Sequence, residues 1–185
     1  MGHRDNLIAA ARQCLLATGY ARTTVRDLVA ASGANQASIN YHFGSKDQLL
    51  TRALTELNAE WGELLFSALG NPDEPIGHEE RWRRIIDSIR DHQDLWFVNF
   101  ESVSYVQHDA QIRSINAHGQ ELARTALARS FGGLPPSADP ADVRAVGGHY
   151  YSLLVGVALQ WLTDPDNAPS AADVVRADRL AAERT

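Results

Sequence analysis

Apolar residues recur at three- and four-residue spacing along almost the whole of this 185-residue chain, and no stretch alternates apolar and polar residues as a half-buried strand does. A chain patterned in this way folds as an all-α protein, because only a helix brings residues at that spacing onto one face. The first helix is expected over 4–18, with Leu7, Ala11, Cys14 and Leu15 inward and Gly19 closing it. Thr23 or Thr24 can cap a second helix that turns Leu28 and Val29 inward and stops near Gly33. A short third helix covers 35–42, and Ser45 caps a long fourth that runs to about Leu69. "GNPDEPIG" then breaks the pattern with two prolines and two glycines. Helices resume at about 78–91, 94–107, 109–131, 140–163 and 170–183, parted by the loop sequences "GGLPPSADP" and "DPDNAP". The total is about nine.

The formal net charge of -6 averages two unlike parts. Up to Leu50 there are five basic and three acidic residues, and beyond it twelve basic and twenty acidic. The acidic excess belongs to the second part, so the first is free to approach a polyanion. We therefore expect a small three-helix head over 1–48 and a larger helical body over 49–185. The single cysteine, Cys14, allows no internal disulfide and reads as a core thiol in a reducing compartment. No apolar run approaches the roughly 18 residues of a membrane span, and the chain reads as cytoplasmic with no membrane partner. Phosphate loops, nucleophile elbows and His-Glu-x-x-His motifs are lacking, so the chain does not read as an enzyme. His118 and Glu121 share a helix face, but no second such pair exists to complete a site, so neither metal nor cofactor is expected.

The segment "TTVRDLVAASGANQASINYHFGSKDQLL" carries the functional signal. Two short helices joined by a glycine turn form a helix-turn-helix, whose second helix enters the major groove of DNA. At about 100° per residue, Gln36, Ala37, Asn40 and Tyr41 share one face, with Asn35, Ile39 and His42 on the other and Phe43 free to turn inward. Gln and Asn can pair with adenine edges, and small residues let the backbone approach the bases, so Gln36, Ala37, Ser38 and Asn40 are the candidates for reading sequence. Thr24, Tyr41, His42 and Lys46 are the candidates for phosphate contacts. Lys46 is the chain's only lysine, and it stands at the start of the fourth helix, where the dipole disfavours a cation by about 0.3–1 kcal/mol. A phosphate bound there would gain from both the lysine and the free backbone N–H groups.

These residues resemble the DNA-binding region of the TetR family of bacterial regulators. The likeness lies in Thr24, the turn from Ala30 to Gly33, the short helix from Asn35 to Tyr41, and the ending Tyr41-His42-Phe43-Gly44-Ser45-Lys46, with Asn40 where the family often has tyrosine. It covers about the first quarter of the chain. "YYSLLVGVALQWLTDPDNAPSAADVV" is similar to the last two helices, through which many members dimerise. The resemblance implies an effector cavity in the body, for which the aromatic and polar candidates are Trp82, Trp96, Phe100, Tyr105, His149 and Tyr150.

Leu153, Leu154, Gly156, Val157 and Trp161, with Val174 and Val175 on the following helix, can build a four-helix interface between two chains. Packing within one chain is the competing reading of that stripe. The expectation is a homodimeric repressor that binds a palindromic operator in double-stranded DNA and is released by a small-molecule effector. Activation is the open variant. A helical small-molecule-binding protein or enzyme with a merely structural head is the alternative, and specific, salt-dependent duplex binding separates the two.

Overall fold

The computed structural model describes residues 2–183, which hold nine α-helices, one 3-10 turn and no strand. The helices are α1 (His3–Thr18), α2 (Val25–Ser32), α3 (Gln36–Phe43), α4 (Lys46–Leu69), α5 (His78–Asp91), α6 (Gln93–Ser102), α7 (Ala110–Ser130), α8 (Pro140–Thr163) and α9 (Ala171–Ala182). The sixth helix is shorter than its pattern predicts. It stops at Ser102, whose hydroxyl bonds back to the Asn99 carbonyl at 2.6 Å and to Asn116 at 3.0 Å, and the chain continues as the 3-10 turn Val103–Tyr105. No helix of the described residues is long and apolar enough to cross a membrane.

The chain forms two compact units that do not follow chain order: one takes the residues up to Trp61 with Asp94–His118, the other Gly62–Gln93 with Gly119 onward. In the first unit, α1 packs on α2 and α3 through fully buried Leu7, Ala11 and Leu15, and Leu28 and Ile39 are the anchors of the two short helices. Cys14 lies in this core, and burial pushes its thiol pKa up. Val29 is only half-buried, because an eight-residue helix has room for one fully inward position here, which Leu28 takes.

In the second unit, α5 packs against both α8 and α9. Its inner face is Trp82, Ile85, Ile86 and Ile89, with a buried arginine at its start. Arg81 has no carboxylate within 4.0 Å among the described residues. Its guanidinium donates to the Leu69 carbonyl, and to those of Asn71, Pro72 and Glu74 at 3.2, 3.2 and 3.1 Å. It therefore closes the end of α4 and holds the proline-broken loop. On the outer face Arg83 and Arg84 grip Glu80 at 2.6 and 3.0 Å, and hydrogen bonds from these two arginines hold its carboxyl down at about 2.

Candidate nucleic-acid interface

The starts of α2 and α3 are each fixed by their own side chains. The Thr24 hydroxyl accepts from the Asp27 amide at 3.3 Å, while the Asp27 carboxylate accepts from the Thr24 amide at 2.8 Å and its hydroxyl at 2.7 Å. This is a reciprocal cap, and the hydrogen bonds from Thr24 keep the Asp27 carboxyl below the ordinary carboxylate range. Gly33 ends α2 at φ +65°, a left-handed conformation that costs glycine nothing. Asn35 then starts α3, its side-chain oxygen accepting from the Ser38 amide at 2.9 Å and the Ser38 hydroxyl at 3.1 Å.

The phase of α3 is the one its sequence predicts. Ile39 is 1% exposed and anchors the helix, while Gln36, Ala37, Asn40 and Tyr41 face solvent, Tyr41 at 85%. A tyrosine left so bare is unusual for an apolar ring and leaves its hydroxyl free to meet a phosphate. Ser38 is half-buried and its hydroxyl is engaged by Asn35, so it contributes less donor capacity than Gln36 or Asn40. His42 is half-buried in the last turn of α3, edge-on to Tyr41 at 4.9 Å, and Phe43 turns inward beneath the Arg4 guanidinium at 5.4 Å.

Lys46 reaches back from the first turn of α4, its ammonium donating to the Thr23 carbonyl at 3.3 Å and lying 3.4 Å from Asp47. Asp47 offsets the dipole there, and the bond to Thr23 fastens the start of α2 to the start of α4. The lysine thus stands beside Thr24 and retains donor capacity for a further oxygen. Arg22 and Arg26, both exposed, flank Thr24 and add positive charge to this edge of the head. The signal for them was available in "ARTTVRD", where two arginines bracket the cap.

The six aromatic and polar candidates of the body do not share one cluster. In the first unit Trp96 lies 5.3 Å from Trp61 and 6.1 Å from Phe100, whereas Tyr105 packs on Tyr20 at 4.5 Å and donates to Glu101 at 3.3 Å. Glu101 also accepts from the Tyr20 amide at 3.0 Å. In the second unit Phe131 joins Trp82, at 5.1 Å, to Tyr150, stacked at 4.9 Å, with exposed His149 beside Tyr150. The buried indole N–H groups of Trp61, Trp82 and Trp96 have no acceptor among the described residues. Helical spacing identifies such residues as inward-facing but carries no information on which cluster each will join.

The stripe on α8 and α9 divides as well. Leu154, Val157 and Val174 are buried within the single chain, at 0, 5 and 7% exposure, so they belong to its own core. Leu153, Gly156, Trp161 and Val175 are partly open, and Leu159 and Leu180 are exposed. A β-carbon at Gly147 would fall 2.2 Å from the Arg124 carbonyl oxygen, so this glycine serves the contact of α8 with α7; at Gly148 or Gly156 it would meet nothing within 4 Å.

Residues 7–53, the span from α1 into α4, match the family of bacterial regulatory proteins of the TetR type. The chain is similar to the TetR family through that span. Its relatives include the transcriptional regulator TtgR of Pseudomonas putida, 26% identical over 187 residues that cover 92% of this chain and 85% of TtgR. The TetR-type fold extends over the whole length. The multidrug-binding protein EbrR, seen in complex with proflavin, superposes with a TM-score of 0.72 at 22% identity, covering 97% of this chain and 99% of that one. A TetR-family member from Streptomyces coelicolor gives 0.71 at 21% identity, covering 97% and 98%. The span that matches the family contains the helix-turn-helix pair α2–α3.

Proposed function

We propose that this chain is a TetR-family homodimeric repressor in the cytoplasm, without enzymatic activity, which leaves a palindromic operator when a small molecule binds its body. The observation that carries the reading is α3 itself: a helix capped at both ends, anchored by Ile39, and presenting Gln36, Ala37, Asn40 and Tyr41 to solvent. With Ser38 these residues read bases, and Thr24, Tyr41, His42 and Lys46 hold phosphates. The functional division falls at 48/49, DNA reading before it and ligand binding with dimerisation after it.

The dimer uses the open face of α8 and α9. Leu153, Gly156, Trp161 and Val175 contribute to it directly, and Leu154, Val157 and Val174 support it from the chain's own core. Gly148, Ser152 and Gly156 keep that face low enough for another helix to approach closely. For the effector, Trp82 and Trp96 are supported by their buried N–H donors without acceptors among the described residues, and Phe100, His149 and Tyr150 by their ring contacts with those clusters; Tyr105, which packs on Tyr20, is the candidate with least support. The effector acts by population shift, binding more tightly to a state in which the two heads are out of register for the operator.

Titrating the chain with duplexes selected from a random pool tests the reading. A specific, two-fold-symmetric site whose affinity falls steeply with salt is expected, together with release by a ligand that quenches tryptophan fluorescence. Equal affinity for selected and random duplexes would remove the operator. Tight specific binding that no quenching ligand disturbs would remove the effector.

A further inference from the structure

A groove of about 390 Å³ opens between the last turns of α7, the following loop and the first turns of α8, wholly inside the second unit. Three arginines line it, Arg124 and Arg129 from α7 and Arg144 from α8, together with Thr125 and one acid, Glu121. The arginines of α5, by contrast, are engaged: Arg83 and Arg84 with carboxylates, Arg81 with four carbonyls, Arg90 with Asp87 and the ring of Trp161. Among the described residues, none of the three groove arginines has a carboxylate within 4.0 Å or donates a hydrogen bond to the chain. Glu121 lines the same space without pairing with any of them. The nearby acids Asp139, which caps α8, and Asp142, in its first turn, stand outside the lining, Asp139 occupied with the Ala141 amide at 2.7 Å.

Three guanidiniums around one small space repel one another, and each keeps a planar fork of donors that fits a carboxylate or phosphate in two bonds. The walls are stiff. Pro135, Pro136 and Pro140 form one side, each with its backbone rotation locked, and Gly147 lets α8 press directly on the Arg124 backbone. Arg124 and Arg129 are half-buried along their stems, which limits the entropy lost when an anion is held. The Thr125 hydroxyl is occupied by the Glu121 carbonyl at 3.0 Å, so recognition falls to the arginines.

We infer that this groove is a binding site for a small dianion, a phosphate monoester or a dicarboxylate, separate from the aromatic clusters of the body and from the DNA-binding head. Its volume is in the lower part of the range for small-ligand sites, and its three cations against one acid leave two positive charges to be matched.

Calorimetric titration of the full chain with inorganic phosphate, with succinate and with acetate, at matched ionic strength, tests the assignment. Saturable binding of phosphate or succinate at one site per chain is expected, and whichever dianion binds more tightly identifies the source. Arg144→Ala, an exposed position, should weaken that binding at least about tenfold, and Arg129→Ala similarly, with unchanged circular dichroism. Lys46→Ala in the head should leave it unaltered. Acetate binding as well as succinate, affinity indifferent to both arginines, or loss of binding in Lys46→Ala would each overturn the assignment.

Discussion

Lys46 has one structural role, and its position is compatible with the phosphate contact proposed for it. Its ammonium bonds the Thr23 carbonyl at 3.3 Å, which positions the segment ahead of α2, and it keeps further donors on the side where Thr24 begins that helix. Lys46→Ala should weaken binding to every duplex and flatten the salt dependence by about 0.9 log unit of affinity per log unit of salt for a single lost phosphate contact. An unchanged slope with weaker binding would confine the lysine to the Thr23 tie. Gln36 and Asn40 differ in kind, since both are exposed on α3 and neither side chain has a hydrogen-bond partner among the described residues. Replacing either with Ala should cost about 1–3 kcal/mol on the selected site and much less on random DNA, measured by competition on the same gel series. Equal losses on both would mean that they only seat the helix. The outward direction of these residues was legible from phase alone, because Ile39 fixes the rotation of so short a helix. The engagement of Lys46 with Thr23 was not, since it joins positions 23 residues apart through a backbone atom that carries no sequence signal.

Caps and breakers made the helices legible almost to the residue. Thr24, Asn35 and Ser170 each accept from an amide three residues on, Gly33 supplies a left-handed stop, and Pro140 opens α8, all of them local chemistry written in adjacent residues. The sixth helix was overrun because the pattern "SVSYVQ" has no breaker, and its end is set by Ser102 bonding to Asn116 on α7. The aromatic body was the least legible. Inward-facing residues of α5, α6 and α8 share the same periodicity, while the division into a Trp61–Trp96 group and a Trp82–Phe131–Tyr150 group depends on contacts between distant segments. Arg81 was hidden in the same way, a charge in the first turn of α5 that proves to be 2% exposed. Arg81→Met keeps its apolar stem but leaves the Leu69, Asn71, Pro72 and Glu74 carbonyls without their shared donor. The expected loss is at least about 2 kcal/mol, read as a lower urea midpoint with unchanged slope. A midpoint within error of wild type would show that water replaces the guanidinium.

The proposed function requires two heads carried at a fixed separation, which a chain with one small reading helix achieves as a dimer. A two-fold pair of heads asks for half-sites centred about 34 Å apart or at a multiple of that. Gly156 isolates the question. A β-carbon there meets nothing within 4 Å of its own chain, so Gly156→Trp should leave the monomer folded and act only on a partner helix, unlike a change at Gly147, which would strike the Arg124 carbonyl. Specific affinity should then fall by at least about tenfold, although the change is far along the chain from α3. Light scattering and operator titration on one sample of wild-type protein test the account most directly. It predicts a dimer at the concentrations where the operator is bound and a stoichiometry of two chains per site. A monomer that binds the same operator as tightly would contradict it.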